Sequence, residues 1–182
     1  MKEYICPPCI SFTLDNFIRK KIHDPDKMLA DLIKPGYTVL DLGCGPGYFT
    51  IPMARMAGAS GKVIAADIQE KMLAKVRKKA VRHKMTDRII PVQCQPDSIN
   101  VHEKVDFVLT FWMVHEVSDK KNFFTQIAAV MKKKSKFLLV EPKLHVTLRE
   151  YQEIIRIAES AGLKSSETAP VALSRSTLFK IR

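Results

Sequence analysis

A glycine-rich segment flanked by acids is the stretch of this sequence best suited to chemistry. It reads Asp41-Leu42-Gly43-Cys44-Gly45-Pro46-Gly47-Tyr48 and directly follows the apolar pair Val39-Leu40. Glycines at alternate positions let the backbone bend sharply and approach a ligand without a side-chain collision. A second acid, Asp67, ends the next apolar run, twenty residues after Gly47. In an α/β protein this pattern is typical of a nucleotide-binding loop between a strand and a helix.

Three details of this segment distinguish between nucleotides. A P-loop would end in Gly-Lys-Ser/Thr, but Tyr48-Phe49-Thr50 supplies no lysine. Tyr48 also takes the place of the third glycine of a dinucleotide fingerprint, where it would keep a pyrophosphate from the helix N-terminus. Asp41 would repel a pyrophosphate but suits an ammonium group, and Asp67 can accept hydrogen bonds from both ribose hydroxyls. The residues therefore favour a nucleoside joined to a cationic amino acid, as in S-adenosylmethionine, over NAD.

The rest of the chain alternates between apolar runs and amphipathic segments, which predicts parallel strands joined by right-handed helical crossovers. A short connection between the last two strands predicts an antiparallel ending. We expect an α/β fold: a Rossmann-like, doubly wound, mostly parallel seven-stranded sheet with an antiparallel terminal strand. The predicted strands cover residues 38–42, 62–66, 88–93, 105–111, 136–141, 163–168 and 177–181, and the predicted helices cover 48–57, 69–83, 119–131 and 148–161.

The length of 182 residues, 46% of them hydrophobic, suits one domain with a substantial core. We expect residues 1–33 to form an arm and helices, a candidate substrate lid with a break at His23-Asp24-Pro25, and residues 34–182 to form the cofactor-binding core. No apolar run approaches the roughly 20 residues that span a bilayer, and the N-terminus lacks the apolar segment of a signal peptide. These observations predict a cytoplasmic protein.

Cys6 and Cys9 form a Cys-Pro-Pro-Cys pair. The pair could be part of an ordinary extended arm, a redox dithiol or half of a metal site. Because a second ligand pair of matching spacing is missing, we predict no metal site.

The quoted motifs resemble those of the class I S-adenosylmethionine-dependent methyltransferases, in particular the small type 11 and quinone-methyltransferase-like group. The matching segments are 39–47, 63–67, 105–110 and 137–142, and the resemblance spans about residues 29–182. It implies that S-adenosylmethionine is the cofactor and S-adenosylhomocysteine the product. The residues that it assigns to the cofactor are Asp41 for the amino group, Gly43, Cys44, Gly45 and Gly47 for the methionine portion, Asp67 for the ribose, Ile68 for one adenine face, Asp97 with Ser98 for the adenine amino group, and Thr110 and Phe111 for backbone contacts to the methionine part. For Asp97, a helix-capping acid in a loop is the alternative.

Candidate catalytic residues follow the fourth predicted strand. His115 and Glu116 lie in a region that borders the substrate pocket in the family, and histidine titrates in a range useful for a base. His115 could equally pack beneath the next helix. Glu141, at the end of the fifth strand, is a third candidate, while His145 and Arg175 are weaker ones. Trp112 lines the pocket in one interpretation and packs in the core in the other.

The expected activity is transfer of a methyl group to a small-molecule acceptor by in-line displacement, because the short chain has no added recognition domain. The alternatives are an RNA methyltransferase and a noncatalytic cofactor-binding partner subunit. The formal net charge of +11 motivates the RNA alternative. The basic residues that produce this charge also fit a solvent-exposed helix face over residues 71–84. Over residues 132–136 they fit the C-terminal end of another helix, where the helix dipole favours positive charge. The acceptor and the oligomeric state stay open.

Overall fold

The computed structural model describes residues 22–166 and 169–182, and it confirms the predicted alternation of strands and helices. Each boundary lies within a few residues of the prediction, except for the start of the fifth strand. The strands are β1 (Thr38–Leu42), β2 (Lys62–Asp67), β3 (Ile89–Gln93), β4 (Val105–Phe111), β5 (Met131–Pro142), β6 (Leu163–Ser166) and β7 (Ser174–Ile181), and the α-helices of this part of the chain include α1 (Pro25–Leu29), α2 (Thr50–Ala57), α3 (Glu70–Arg82), α4 (Lys120–Val130) and α5 (Leu148–Ser160).

The seven strands form one sheet in the order β3-β2-β1-β4-β5-β7-β6. Strands β1 to β5 pair in parallel, whereas β7 runs antiparallel to both β5 and β6. The predicted Rossmann-like, mostly parallel sheet with an antiparallel terminal strand is therefore confirmed. The strand order reverses between β1 and β4, and ligands of open α/β sheets bind at the carboxyl ends of strands at such a switch point.

Helices cover both faces of the sheet. One apolar cluster joins β1, β2 and β4 to α1, α2 and α3, and the other joins the opposite face of the same strands to α4 and α5. Strands β1 and β4 are buried along almost their whole length, as their continuous apolar sequence predicts. This packing fixes the carboxyl edge, because the ends of β1, β2 and β4 cannot shift without disturbing both clusters.

The basic run at Lys132, Lys133 and Lys134 was predicted to close a helix, and that prediction is wrong. Helix α4 ends at Val130, because Met131 is already extended and pairs with Val105 of β4. The three lysines are exposed residues at the start of β5. Their positive charge therefore does not complement a helix dipole.

The N-terminal half of α2 also differs slightly from the prediction. The helix was expected to begin at Tyr48, but Phe49 is its N-cap and Thr50 its first residue. The Tyr48 hydroxyl instead donates a hydrogen bond of 2.7 Å to the backbone oxygen of His23. Tyr48 thus joins the glycine-rich loop to the chain that precedes α1.

The break predicted at His23-Asp24-Pro25 is present, because Asp24 caps α1 and Pro25 occupies its first turn. Residues 1–21 of the predicted arm and helices, with the Cys6/Cys9 pair, lie outside the described residues. Within the described part of the chain, no helix combines the length and the apolar character needed to cross a membrane.

Candidate active site

The glycine-rich loop leaves the carboxyl end of β1 along a left-handed path that glycine adopts without strain. Gly43, Gly45 and Gly47 have φ angles of 73°, 52° and 82°. The loop is tied to β2, because the backbone N–H groups of Gly43 and Cys44 donate to the Ala66 carbonyl oxygen at 2.8 and 3.0 Å. A Cβ atom added at Gly45 would meet nothing within 4 Å. The loop therefore presents bare backbone to open space at the switch point of the sheet.

Asp67 stands beside this space at the end of β2, where the sequence predicts it. Its carboxylate accepts hydrogen bonds from the backbone N–H of Gly45 at 2.9 Å and of Gln69 at 2.8 Å. Burial raises the pKa of Asp67, while these N–H donors oppose the rise. Each carboxylate oxygen can accept more than one hydrogen bond, so Asp67 keeps capacity for the hydroxyls of a ribose.

Asp41 faces α2 and is almost completely buried. Its carboxylate accepts a 2.6 Å hydrogen bond from the Thr50 hydroxyl, which is itself fully buried. This contact holds the first turn of α2 against the end of β1. The assigned contact of Asp41 with an amino group stays a prediction. Thr50 is not identified from the sequence, because no local pattern indicates that it binds Asp41, nine residues earlier.

The two described cysteines are buried thiols. Burial raises the pKa of Cys44 well above its ordinary value and that of Cys94 to about 12, and the charge of Asp67 adds to both effects. Both side chains therefore stay protonated under ordinary conditions. This environment does not favour either cysteine as a thiolate ligand or nucleophile.

The residues predicted to hold an adenine surround the end of β3. The backbone oxygen of Asp97 accepts hydrogen bonds from the side-chain amides of Asn122 and Gln126 in α4, each at 2.8 Å, while its side chain is exposed. Ser98 donates to the Asn100 side chain at 2.8 Å, and Ile68 is half-buried after β2. Because the next helical residues begin at Val114, Asp97 does not cap a helix.

Strand β4 ends in a packed aromatic cluster. The ring of Phe111 lies 4.6 Å from that of Phe49 and 5.1 Å from that of His23, between centroids. Trp112 has a φ of 59°, and its indole N–H donates to the Ser174 hydroxyl at 2.9 Å. Trp112 is therefore held by packing and a hydrogen bond, and its left-handed backbone turns the chain sharply after β4.

His115 and Glu141 are brought together by the adjacent ends of β4 and β5. His115 lies in a 3-10 turn (Val114–Glu116), and its Nδ1 is 2.6 Å from Oε2 of Glu141. The Glu141 carboxylate is fully buried, and it also accepts the backbone N–H groups of Val114 at 2.9 Å and His115 at 3.3 Å. Burial lowers the pKa of His115, but the hydrogen bond and charge of Glu141 outweigh it, so the pKa lies above its ordinary value.

The other predicted candidates lie around this pair. Glu116 places Oε1 4.0 Å from Nε2 of His115, and the ring of His145 is 6.2 Å from that of His115, between centroids. Arg175 donates to the Val146 backbone oxygen at 2.8 Å, which directs one arm of its guanidinium to the chain after β5. The sequence does not single out Lys120, whose ammonium group donates to the Val117 backbone oxygen and whose pKa is lowered by burial.

The match to a known family extends over most of the residues described above. A model of the family described as a methyltransferase domain matches residues 33–169. Because this match covers more than half of the chain, the chain belongs to this family. The predicted class, the class I S-adenosylmethionine-dependent methyltransferases, is confirmed.

Known relatives and solved structures agree with this class. The ubiquinone/menaquinone biosynthesis C-methyltransferase UbiE of Pasteurella multocida is 30% identical over 110 residues, which are 60% of this chain and 41% of that protein. A SAM dependent methyltransferase from Aquifex aeolicus has a TM-score of 0.85 at 24% identity and covers 97% of this chain and 98% of its own. A putative methyltransferase from Haloferax volcanii, solved with a methyltransferase activator, has a TM-score of 0.76 at 16% identity, with 96% of each chain covered.

The sequence relatives and the solved structures support different conclusions. The chain spans less than half the length of the curated relatives it matches. At identities below a quarter, the two solved structures show the fold alone.

Proposed function

We propose that this chain transfers a methyl group from S-adenosylmethionine to a small-molecule acceptor. The observation that carries the proposal is the open space beside Gly45, which the Asp67 carboxylate borders at 2.9 Å from the Gly45 nitrogen. Bare backbone next to a hydrogen-bond acceptor fits a ribose better than a pyrophosphate, which an aspartate would repel. The curated relatives named for quinone biosynthesis support a small-molecule acceptor.

The protein contributes mainly by aligning the acceptor with the methyl group, and it contributes less by activating that group. When bound, S-adenosylmethionine supplies a methyl group on a sulfonium, which is already a good leaving group. We assign the ribose to Asp67, the methionine portion to the loop from Gly43 to Gly47, and the adenine to Ile68, Asp97 and Ser98. The end of β4 then faces the acceptor, and holding two reactants in line can lower the barrier by roughly 7–11 kcal/mol.

Titration with S-adenosylhomocysteine by calorimetry tests the proposed cofactor site. Gly45→Ala and Gly162→Ala form a matched pair, because both glycines have a positive φ and neither added Cβ meets an atom within 4 Å. We expect a comparable loss of stability from both, about 1–2 kcal/mol. Only Gly45→Ala should lose affinity for S-adenosylhomocysteine. Absence of binding by the folded wild-type chain would remove the proposed function, and equal affinities of the two variants would place the cofactor elsewhere.

An RNA acceptor is the second candidate, because α3 exposes several basic side chains. The exposed basic residues of this helix are Lys71, Lys75, Arg77, Lys78 and Arg82. Binding of RNA through them would weaken steeply as the salt concentration rises. Fluorescence anisotropy with a short labelled RNA distinguishes the two acceptor classes, and no binding at low salt excludes the RNA candidate.

A noncatalytic partner subunit would bind the cofactor equally well. It would show tight binding of S-adenosylhomocysteine without methyl transfer to any acceptor of a broad nucleophile panel. Turnover with any member of that panel excludes this alternative.

A further inference from the structure

The His115–Glu141 pair holds the imidazole ring by one nitrogen, Nδ1, and leaves the other nitrogen, Nε2, available to a substrate. Glu141 accepts two backbone N–H groups and lies 2.6 Å from Nδ1 of His115. Backbone N–H groups donate to both of its carboxylate oxygens, so Oε2 faces the ring as a hydrogen-bond acceptor. Nδ1 must therefore carry a proton, and in the neutral ring Nε2 is the atom with a free lone pair.

Exposure separates the roles of the two side chains. Glu141 is fully buried, so it cannot touch an acceptor, whereas the side chain of His115 is 23% exposed. The turn that carries His115 follows the last residue of β4, on the same edge of the sheet as the glycine-rich loop. Met113 links the two regions, since its side chain would lie only 2.6 Å from a Cβ added at Gly43.

Charged and titratable groups face His115 from every element packed around it. Glu116 belongs to its own turn, Glu141 to β5, Lys120 to α4, Glu150 to α5 and His145 to the connection between β5 and α5. Glu141 and Glu116 favour the protonated ring, and Lys120 opposes them. The raised pKa of His115 means that the ring holds a captured proton better than an ordinary histidine does.

We infer that His115 is the general base for an acceptor with a weakly acidic hydroxyl, a phenol or an enol, and that Glu141 is its positioning residue. This inference rests on the proposed function and adds the class of acceptor to it. The hydroxyl proton passes to Nε2, the acceptor oxygen forms a bond to the methyl carbon, and the electron pair of the broken carbon–sulfur bond stays on sulfur. Glu141 stabilises the imidazolium that results, and water later removes its proton.

The acidity of the hydroxyl is the basis for choosing this class. An amine can attack through its lone pair and lose its proton afterwards, so it gains little from an imidazole held in one tautomer. A phenol or enol becomes a good nucleophile only as its proton leaves, and an imidazole is the side chain best matched to accept that proton near neutral pH.

A graded series of phenols tests the inference, with His115→Asn as the main variant and His102→Gln as a control at an exposed histidine between β3 and β4. The asparagine amide can still donate to Glu141 but has no counterpart of Nε2. We expect kcat on a weakly acidic phenol to fall by about 10²- to 10⁴-fold, the usual contribution of a general base. The loss should shrink towards none for a nitrophenol that is already ionised in the assay, while His102→Gln matches the wild type throughout.

Glu141→Gln provides a readout that a structural role alone would not move. In wild-type protein the rate should rise with pH through the raised pKa of His115, because only the neutral ring accepts a proton. In Glu141→Gln that rise should shift to lower pH, and NMR titration of the His115 ring, which needs no acceptor, should show the same downward shift. An unchanged ring pKa, or an equal loss of kcat in His115→Asn across the phenol series, overturns the inference.

The two proposals fail in different ways. If S-adenosylhomocysteine does not bind, the proposed function itself is wrong. If it binds and amines or thiols are methylated while every hydroxyl acceptor is refused, only the acceptor class and the role of His115 are wrong. Binding without turnover on any acceptor overturns the inference as well, since no proton then needs a base.

Discussion

The two halves of the carboxyl edge are built in different ways. The glycine-rich loop is continuous in sequence and works through backbone groups, with Gly45 and its neighbours presented by β1. The proposed acceptor side depends on His115 and Glu141, which are 26 residues apart and meet only because β4 pairs with β5. The first half should therefore control binding of the cofactor, and the second should control the rate and its dependence on pH.

The largest expected effect on binding distinguishes the two halves. Asp67→Ala should weaken S-adenosylhomocysteine by about 100-fold, because hydrogen bonds to a charged group contribute about 1.5–3 kcal/mol each. His115→Asn should leave that affinity unchanged. Calorimetric titration of both variants measures the contrast. Comparable losses in the two variants would mean that the halves form one binding surface.

The second effect concerns stability at the acceptor side. Glu141→Gln places an amide where three donors converge, and we expect it to lower the free energy of unfolding by about 1–3 kcal/mol. A histidine with a raised folded-state pKa stabilises the protein most below its unfolded pKa of about 6.5, and this contribution disappears as pH rises through the folded value. The deficit of Glu141→Gln should therefore be largest in acid. Urea denaturation across pH checks this, and a deficit that grew with pH would contradict it.

The third effect concerns the contact between the halves. Gly43→Ala combines a left-handed backbone with a clash against Met113, and we expect it to cost about 2 kcal/mol of stability. In a Met113→Ala background the 2.6 Å contact with Cγ is absent and only the 3.1 Å contact with Cβ remains, so the same change should cost less, with a coupling of about 1 kcal/mol. Denaturation of the two single variants and the double variant gives this number. Strict additivity would show that Met113 moves away freely and that the halves are not coupled through it.

The smallest effect is expected at the end of β4. Among the described residues, the Thr110 hydroxyl is buried without a hydrogen-bond partner. Thr110→Val should therefore leave stability unchanged or raise it by up to about 1 kcal/mol, since no hydrogen bond is lost. Because its assigned contact with the cofactor uses the backbone, affinity for S-adenosylhomocysteine should not change. A clear loss of affinity would assign the hydroxyl itself to the cofactor site.

Much of the geometry of the proposed cofactor side could be predicted because its signals are local. A glycine-rich turn after an apolar strand, followed by an acid at the end of the next strand, has the same meaning wherever it occurs in an α/β chain. The positions of Gly45 and Asp67 follow from that order alone. Thr50 could not be predicted, since its contact with Asp41 depends on how α2 packs against the end of β1.

The lysines at the start of β5 show where local signals fail. A basic run after an amphipathic segment is typical of a helix end, but pairing of Met131 with Val105 converts these residues into strand. Hydrogen bonds to a neighbouring strand are not encoded within the run itself. The sequence by itself therefore determined the order of the elements, the class of ligand and the residues at each strand end.

Only the tertiary structure decided which of those ends lie together. His115 and Glu141 were separate candidates in the sequence, each with an ordinary alternative role. The pairing of β4 with β5 buries Glu141 completely and leaves His115 partly exposed. It also places Oε2 of Glu141 2.6 Å from Nδ1 of His115. The physical reason is that burial and a fixed hydrogen-bond geometry arise from contacts between distant segments, which a pattern of neighbouring residues does not specify.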